Sequence, residues 1–123
     1  MKETTIGIIG QGFVGNAMYQ GFKNFYPVLT YDKYLDEKSN STLTDVVRNS
    51  DVIFSCVPTP MTDVGECYTG IVEDVLGNVN DICKELNITN KIVVIKSTVI
   101  PGTTKKMNDK FENIDVIFNP EFL

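Results

Sequence analysis

Gly10-Gln11-Gly12-Phe13-Val14-Gly15 is the stretch that decides the fold of this chain, because it follows an apolar run, Ile6 to Ile9, and precedes a segment with helical spacing. In a strand-turn-helix unit, the first glycine permits a tight turn, the second lets the backbone approach a pyrophosphate, and the third packs helix closely on strand. The N–H groups at the helix N-terminus then face the phosphates. The stretch predicts a dinucleotide-binding loop, although three glycines in six residues also occur in ordinary tight turns.

An acidic residue supports the dinucleotide interpretation. Asp32 follows a second apolar run, Val28 to Tyr31, and lies 22 positions after Gly10, close to the spacing of the carboxylate that binds the adenosine ribose. A carboxylate accepts hydrogen bonds from ribose hydroxyls and repels a 2′-phosphate, so the sequence favours NAD over NADP. Lys33 and Lys38 keep NADP open as an alternative, since a nearby cation can accommodate the additional phosphate.

Length and composition exclude several classes of protein. With 123 residues, the chain is long enough for one domain and too short for the two domains that most dinucleotide-dependent dehydrogenases need. Hydrophobic residues make up 42% and charged residues 22%, which is typical of a soluble globular protein. The net charge of −5 leaves no basic stripe to replace the counterions of a nucleic acid, so we expect no nucleic-acid partner.

The chain shows neither a membrane-spanning stretch nor a secretion signal, so we expect a cytoplasmic location without membrane contact. Its cysteines, Cys56, Cys67 and Cys83, are odd in number and lack C-x-x-C spacing, which argues against a disulfide framework or a zinc site. We therefore expect no metal. The absence of histidine from the sequence excludes Ser/His and Cys/His catalytic couples.

Apolar runs alternate with helical segments along the chain, which predicts an α/β fold, a Rossmann-type doubly wound parallel sheet of about five strands. Right-handed crossovers predict the strand order 3-2-1-4-5, with a ligand at the carboxyl ends of strands 1 and 4. The predicted strands are Ile6 to Ile9, Val28 to Tyr31, Val52 to Val57, Ile92 to Ile95 and Val116 to Phe118. The predicted helices are about Val14 to Phe25, Thr44 to Asn49, Ile71 to Leu86 and Thr104 to Phe111, the last with Thr103 available as its cap.

The loops after strands 3, 4 and 5 combine proline or glycine with polar side chains. They read Pro58-Thr59-Pro60, Ser97 to Thr103, and Asn119 to Leu123. Each has an ordinary interpretation as a turn or a surface segment. Because these loops and the glycine stretch should share one edge of the sheet, we expect their hydroxyl, amide and carboxylate groups to converge on a ligand.

Four blocks in this order resemble a known family. Gly10 to Gly15, Cys56 to Pro60, Lys96 to Thr104 and Asn119 to Leu123 are similar to the N-terminal NAD-binding domain of the UDP-glucose/GDP-mannose 6-dehydrogenase family. The resemblance covers essentially the whole chain. It implies one NAD-binding Rossmann domain over residues 1–123, without the linking helix and substrate domain of the family. The segment from Lys33 to Ser50 is much shorter than the family's usual connection between strands 2 and 3.

The resemblance also implies roles for individual residues. Val14 and the flanking glycines, Gly10, Gly12 and Gly15, would contact the pyrophosphate, Asp32 the adenosine ribose, and Thr59 the nicotinamide half. We assign Phe13, Lys33, Pro58 and Thr98 to the same cofactor site. Thr98 beside the reacting centre and Glu121 at the start of a sugar-contacting segment are the predicted catalytic residues, because a hydroxyl and a carboxylate can hold a water.

Members of that family oxidise the C6 alcohol of a nucleotide sugar to a carboxylate, pass two hydrides to two NAD molecules in turn, and use a cysteine from their later part. None of the three cysteines here matches that position, so we expect this chain to bind NAD and to oxidise no sugar alone. The alternatives are a stand-alone dinucleotide-binding module, half of a split enzyme, or a β-hydroxyacid-type dehydrogenase domain, against which the block Asn119 to Leu123 argues. We also expect a symmetric homodimer, because strand 5 would be an exposed sheet edge.

Overall fold

The computed structural model describes residues 3–58, 70–97 and 102–119, in which strands and helices alternate as the apolar runs predicted. The strands are β1 (Ile6–Ile9), β2 (Val28–Tyr31), β3 (Val52–Ser55), β4 (Lys91–Ile95) and β5 (Ile114–Phe118). The α-helices are α1 (Phe13–Phe22), α2 (Leu43–Asn49), α3 (Gly70–Glu85) and α4 (Thr103–Lys110), with a short 3-10 helix at Asp36–Lys38. Each α-helix begins one residue before its predicted start, and α1 ends three residues early.

The sheet is parallel throughout, and its strand order is β2-β1-β3-β4-β5. The predicted Rossmann-type α/β class is therefore confirmed, but the predicted order 3-2-1-4-5 is wrong. After β2 the chain returns through α2 and places β3 on the other side of β1. Winding thus reverses between β1 and β3, and the crevice beyond the carboxyl ends of these two strands is where doubly wound sheets of either order bind ligands.

Alternate side chains of β3 show that it is covered on both faces. Phe54 stacks on Phe22 of α1 with ring centroids 5.7 Å apart. Its neighbour Ile53 belongs to the core cluster that contains Val46 and Val47 of α2. Because successive side chains of a strand point to opposite faces, α1 and α2 cover opposite faces of the sheet. A strand buried on both faces carries a continuous apolar run, which explains why this segment belongs in the middle of the sheet.

Helix α3 supplies much of the core, as its periodicity predicted. Val72, Leu76, Val79 and Cys83 recur at spacings of three and four residues and are fully buried. They belong to one apolar cluster with side chains of β3, β4, β5 and α4, including Ile53, Val93, Ile95, Met107, Ile114 and Val116. Burial of each large aliphatic side chain contributes about 1.5–3 kcal/mol, so this face of the sheet holds the helix in place.

Helix α4 begins differently from its prediction. Thr103 was expected to cap the helix, but the N-cap is Gly102, and Thr103 is the first helical residue with 5% of its surface exposed. Gly102 has a φ of +89°, a left-handed conformation that favours glycine. The chain therefore turns one residue earlier than a threonine cap would require, and the expected cap is wrong.

Asparagine side chains occupy the outer edges of the sheet. Along β2, the Asn40 side chain accepts from Thr30 N at 2.8 Å and donates to Val28 O at 3.0 Å. Along β5, the Asn108 side chain accepts from Val116 N at 2.8 Å and donates to Val116 O at 3.0 Å. β5 is a sheet edge, as expected, but part of its backbone already has an intramolecular partner, which leaves less of that edge for pairing with another chain.

Candidate functional site

The first glycine of the loop after β1 makes a turn that a larger residue would not fit. Gly10 has a φ of +96°, and its N–H donates to Tyr31 O at 2.8 Å. A Cβ at Gly10 would lie 2.9 Å from the carbonyl carbon and oxygen of Cys56. The loop is therefore pressed against the backbone at the carboxyl end of β3, at the point where the winding of the sheet reverses.

The other two glycines of the loop differ sharply in their surroundings. A Cβ at Gly15 would lie 1.8 Å from Gly10 O, so α1 approaches the loop more closely than any side chain allows. A Cβ at Gly12 would meet nothing within 4 Å. The three glycines thus show the geometry of a dinucleotide loop, with a turn at Gly10, an open approach at Gly12 and close helix packing at Gly15.

The N-terminus of α1 is open to a ligand. Its N-cap is Gly12, which has no side chain to bond the first N–H groups, and its first turn carries no acidic residue. Helix α2 shows the contrast, since Thr42 Oγ1 accepts from Asp45 N at 3.1 Å and caps that helix. Unpaired N–H groups and the helix dipole together make an N-terminus such as that of α1 suitable for phosphate.

A cleft of about 680 Å³ lies beyond the carboxyl ends of the central strands. Most of the described residues that the sequence assigned to the cofactor line it, namely Gly10, Gly12, Phe13, Val14, Asp32, Lys33 and Pro58. Gly15 does not line the cleft and lies behind it, where it packs against Gly10. Thr59, Thr98 and Glu121 lie outside the described residues.

Helix α3 lines the cleft too, which the sequence interpretation missed. Ile71, Asp74, Val75 and Asn78 contribute to the wall, and their spacing places them on one face of the first turns of the helix. A helix that follows a loop at the carboxyl end of a strand begins at the edge of the sheet where ligands bind. The position of α3 after such a loop could therefore have predicted that its first turns line the cleft. Further lining residues had no individual role assigned from the sequence, although Ser97 opens a loop that was expected at this edge; they include Tyr34, Leu35, Leu43, Val57, Lys96 and Ser97.

Asp32 is buried at one end of the cleft with 9% of its surface exposed, and its carboxylate is held by backbone N–H groups. Oδ2 accepts from Gln11 N at 2.6 Å, while Oδ1 accepts from Tyr34 N at 2.8 Å and Leu35 N at 3.0 Å. A carboxylate has about four lone-pair sites, so these three bonds leave roughly one for a ribose hydroxyl.

Two aromatic side chains stand at the mouth of the cleft. Phe13 exposes 77% of its surface and Tyr34 exposes 81%. The Lys33 ammonium lies 5.6 Å from the centre of the Tyr34 ring, within the range of a cation–π contact. This end of the cleft therefore offers flat apolar surface and the Lys33 ammonium beside the Tyr34 ring.

At the opposite end of the cleft, the three loops predicted to converge come into contact. The Ser97 hydroxyl after β4 donates to the carbonyl of Val57 after β3. Lys96 Nζ, in the loop after β4, lies 3.5 Å from Asn119 Oδ1, in the loop after β5, which is a long contact. The described parts of these blocks therefore lie at one edge of the sheet.

Cys56 lines the cleft but its surroundings keep the thiol protonated. Burial raises its pKa to about 12, against a partial lowering by the Lys96 ammonium, and Sγ lies 3.7 Å from Met18 Sδ. Burial also raises the pKa of Cys83, which is enclosed in the core. Because the thiolate is the nucleophilic form, neither cysteine suits covalent catalysis near neutral pH. Cys67 lies outside the described residues.

We expect Cys56 to react at least tenfold more slowly at pH 8 than a thiol of pKa 9, because its much smaller thiolate fraction outweighs the greater nucleophilicity of a thiolate of higher pKa. A Cys67→Ser/Cys83→Ala variant isolates the residue, and a chromogenic disulfide reagent measures the rate, with the urea-unfolded chain as control. The rate in the folded protein should rise about tenfold per pH unit from about pH 7 to about pH 10. A plateau below pH 10 would show that the folded protein stabilises the thiolate.

Neither a metal site nor a membrane helix is found in the part of the chain that the structure describes. It contains no group of three or more Cys, Asp or Glu side chains placed to hold a metal ion, and the sequence has no histidine. No helix within these ranges is both long and apolar enough to cross a membrane.

Comparison with known proteins points to one family. The sequence model of the UDP-glucose/GDP-mannose dehydrogenase family, NAD binding domain, matches residues 30–123. A UDP-glucose 6-dehydrogenase of Streptococcus pneumoniae is 36% identical over 98 residues, which cover 75% of this chain and 24% of that protein. The chain spans a quarter or less of the length of the curated relatives that it matches first.

Solved structures show the same fold. A UDP-glucose dehydrogenase from the archaeon Pyrobaculum islandicum superimposes with a TM-score of 0.81 over 99% of this chain and 37% of that chain, at 23% identity. A GDP-mannose dehydrogenase from Pseudomonas aeruginosa, solved as a ternary complex, gives a TM-score of 0.77 over 96% of this chain and 36% of that chain, at 25% identity. The doubly wound sheet is therefore shared with these enzymes.

Proposed function

Because the chain belongs to the UDP-glucose/GDP-mannose dehydrogenase family and matches its NAD-binding domain over residues 30–123, we propose that it holds NAD for the oxidation of a nucleotide sugar at C6. The proposal rests on the arrangement around the glycine loop, where an open Gly12 and an uncapped α1 face a cleft that ends at the Asp32 carboxylate. The family match disfavours a hydroxy-acid dehydrogenase.

The residues along the cleft fit a dinucleotide whose pyrophosphate lies at the N-terminus of α1 and whose adenosine ribose lies at Asp32. The N–H groups of the first turn of α1 bind the pyrophosphate, and Gly12 leaves the space for its approach. Asp32 accepts a hydrogen bond from one hydroxyl of the adenosine ribose. The apolar surface for the adenine comes from Tyr34, Leu35 and Leu43. Lys33 lies beside this ribose site, with Phe13 and Val14 along the pyrophosphate.

The nicotinamide half extends towards the loops after β3 and β4, where Pro58 and Ser97 line the cleft. When bound, NAD supplies the acceptor for the hydride that leaves the sugar carbon. In the proposed site, Thr59 and Thr98 contact the nicotinamide half of the cofactor. Thr98 and Glu121 orient a water at the reacting centre and take up the proton of the sugar alcohol. A nucleotide-sugar substrate contacts mainly residues outside this chain, which spans only part of its relatives.

We propose that this chain alone binds NAD without oxidising a sugar; the alternatives are a stand-alone dinucleotide-binding module and one half of a split enzyme. In support, burial raises the pKa of both described cysteines, Cys56 and Cys83, which disfavours the nucleophilic thiolate near neutral pH. Formation of NADH from NAD and UDP-glucose by the purified chain would contradict this. We also propose a cytoplasmic location, in keeping with the two described free cysteines.

We further propose a symmetric dimer. The exposed apolar side chains Ile117 and Phe118 of the edge strand β5, with Ile92 of the neighbouring β4, support it, because burial of apolar surface between two copies stabilises an assembly. Light scattering should give twice the chain mass in the micromolar range, and a monomeric mass there would overturn the dimer.

Calorimetric titration with NAD and with NADP tests the proposed function. We expect NAD to bind at one site per chain and NADP to bind at least tenfold more weakly, because a 2′-phosphate would lie against the buried Asp32 carboxylate. Equal affinities for NAD and NADP would show that Lys33 and its neighbours offset the repulsion between the 2′-phosphate of NADP and the Asp32 carboxylate. The absence of binding by both would contradict a dinucleotide site.

A further inference from the structure

We infer that Asp32 positions the glycine loop for the pyrophosphate, and that this role is separate from its contact with the ribose. The inference rests on the proposed NAD site. Its basis is that the Asp32 carboxylate bridges two loops that are distant in sequence, by bonding Gln11 N after β1 and both Tyr34 N and Leu35 N after β2.

The bond to Gln11 N acts where the loop geometry is decided. Gln11 stands between Gly10, which has a left-handed φ, and Gly12, which occupies the N-cap position of α1. Its N–H donates to Asp32 Oδ2 at 2.6 Å, the short distance of a bond to a charged acceptor. This bond fixes the peptide between Gly10 and Gln11, and the direction of the following N–H groups at the α1 N-terminus depends on that peptide.

Asp32 is itself held firmly enough to serve as an anchor. Its N–H donates to Ser39 Oγ at 2.8 Å, and the Ser39 hydroxyl lies 3.2 Å from Asp32 O. Its Oδ1 is fixed by two further N–H groups in the turn that follows. The carboxylate therefore keeps its position before any cofactor binds, and it holds the loop in the conformation that receives the phosphates.

Inorganic pyrophosphate separates the two roles because it contains no ribose. If Asp32 only bound ribose, removal of its negative charge would leave pyrophosphate binding unchanged or strengthen it by relieving repulsion. If Asp32 positions the loop, the same change weakens pyrophosphate binding. The two accounts thus predict opposite signs for one measurement.

The experiment titrates inorganic pyrophosphate into the unaltered chain, Asp32→Ala and Asp36→Asn, and follows the amide resonances of residues 10–15 by NMR. Asp36→Asn is the matched control, since it removes a nearby exposed carboxylate that does not bond the loop. We expect at least a fivefold weaker affinity for Asp32→Ala and less than a twofold change for Asp36→Asn. An affinity for Asp32→Ala equal to or higher than that of the unaltered chain would overturn the inference.

A second measurement needs no variant and tests the bond on which the inference rests, from Gln11 N to Asp32 Oδ2, if Asp32→Ala does not fold. In the unaltered chain, the Gln11 N–H should exchange with solvent at least 100-fold more slowly than in an unstructured peptide, and exchange at the peptide rate would overturn the inference. The proposed function fails separately, since it requires the unaltered chain to bind NAD. If the unaltered chain binds NAD and Asp32→Ala keeps an unchanged affinity for pyrophosphate, the positioning role is rejected and the proposed function stands.

Discussion

Gly15→Ala is expected to prevent folding or to lower the free energy of unfolding by about 4 kcal/mol or more. The new Cβ would lie 1.8 Å from Gly10 O and 2.8 Å from Gly10 C, and both atoms belong to the backbone. A flexible side chain could move aside, but here α1 would have to separate from the loop and from β1. Urea unfolding followed by circular dichroism measures the change.

Gly21→Ala is the matched control for this prediction, because Gly21 lies in the same helix and a Cβ there would meet nothing within 4 Å. Alanine is the better helix former by up to about 1 kcal/mol, so this variant should be as stable as the parent or more stable. If Gly15→Ala lost less than about 1 kcal/mol, the close packing of α1 on the loop would be wrong.

Gly12→Ala is expected to reduce the affinity for NAD at least tenfold while the free energy of unfolding changes by less than about 1 kcal/mol. Gly12 has a φ of −71°, which alanine adopts readily, and its Cβ would project into open space. That space is where the pyrophosphate approaches the N-terminus of α1 in the proposed site. Calorimetry with NAD and urea unfolding of the same preparation measure the two quantities.

The three glycine variants should therefore separate stability from binding. Gly15→Ala damages the fold, Gly12→Ala damages the site, and Gly21→Ala damages neither. Parent-like NAD affinity in Gly12→Ala would mean that the pyrophosphate does not pass this glycine, and the proposed orientation of the cofactor would then be wrong.

The sequence predicted the elements of this fold better than their arrangement. Each apolar run became a strand, and the spacing of Val72, Leu76, Val79 and Cys83 correctly placed the buried face of α3. The strand order depends on which way α2 carries the chain across the sheet, and no local pattern encodes that direction. Helix α1 was predicted to extend to about Phe25, yet it ends at Phe22 and leaves Phe25 75% exposed.

The candidate site was predictable where it depends on local sequence. The spacing of Gly10, Gly12 and Gly15 specified a turn, an open position and a close contact, and the structure shows all three. The bonds from Asp32 to Tyr34 N and Leu35 N are of a local kind that aspartate often makes in turns.

Other features of the site depend on distant segments. The bond from Gln11 N to Asp32 joins residues that are 21 positions apart, and the Asn108 contact with β5 depends on how α4 packs beside that strand. Such contacts follow from the assembled fold, so spacing along the chain does not reveal them.

A crystal structure of the chain with NAD tests the central claim most directly. We predict that the pyrophosphate lies at the N-terminus of α1 beside Gly12, with one adenosine ribose hydroxyl on Asp32 and the nicotinamide directed towards Pro58 and Ser97. Density for NAD outside this cleft, or its absence from crystals grown at NAD concentrations that saturate the chain in solution, would contradict the account.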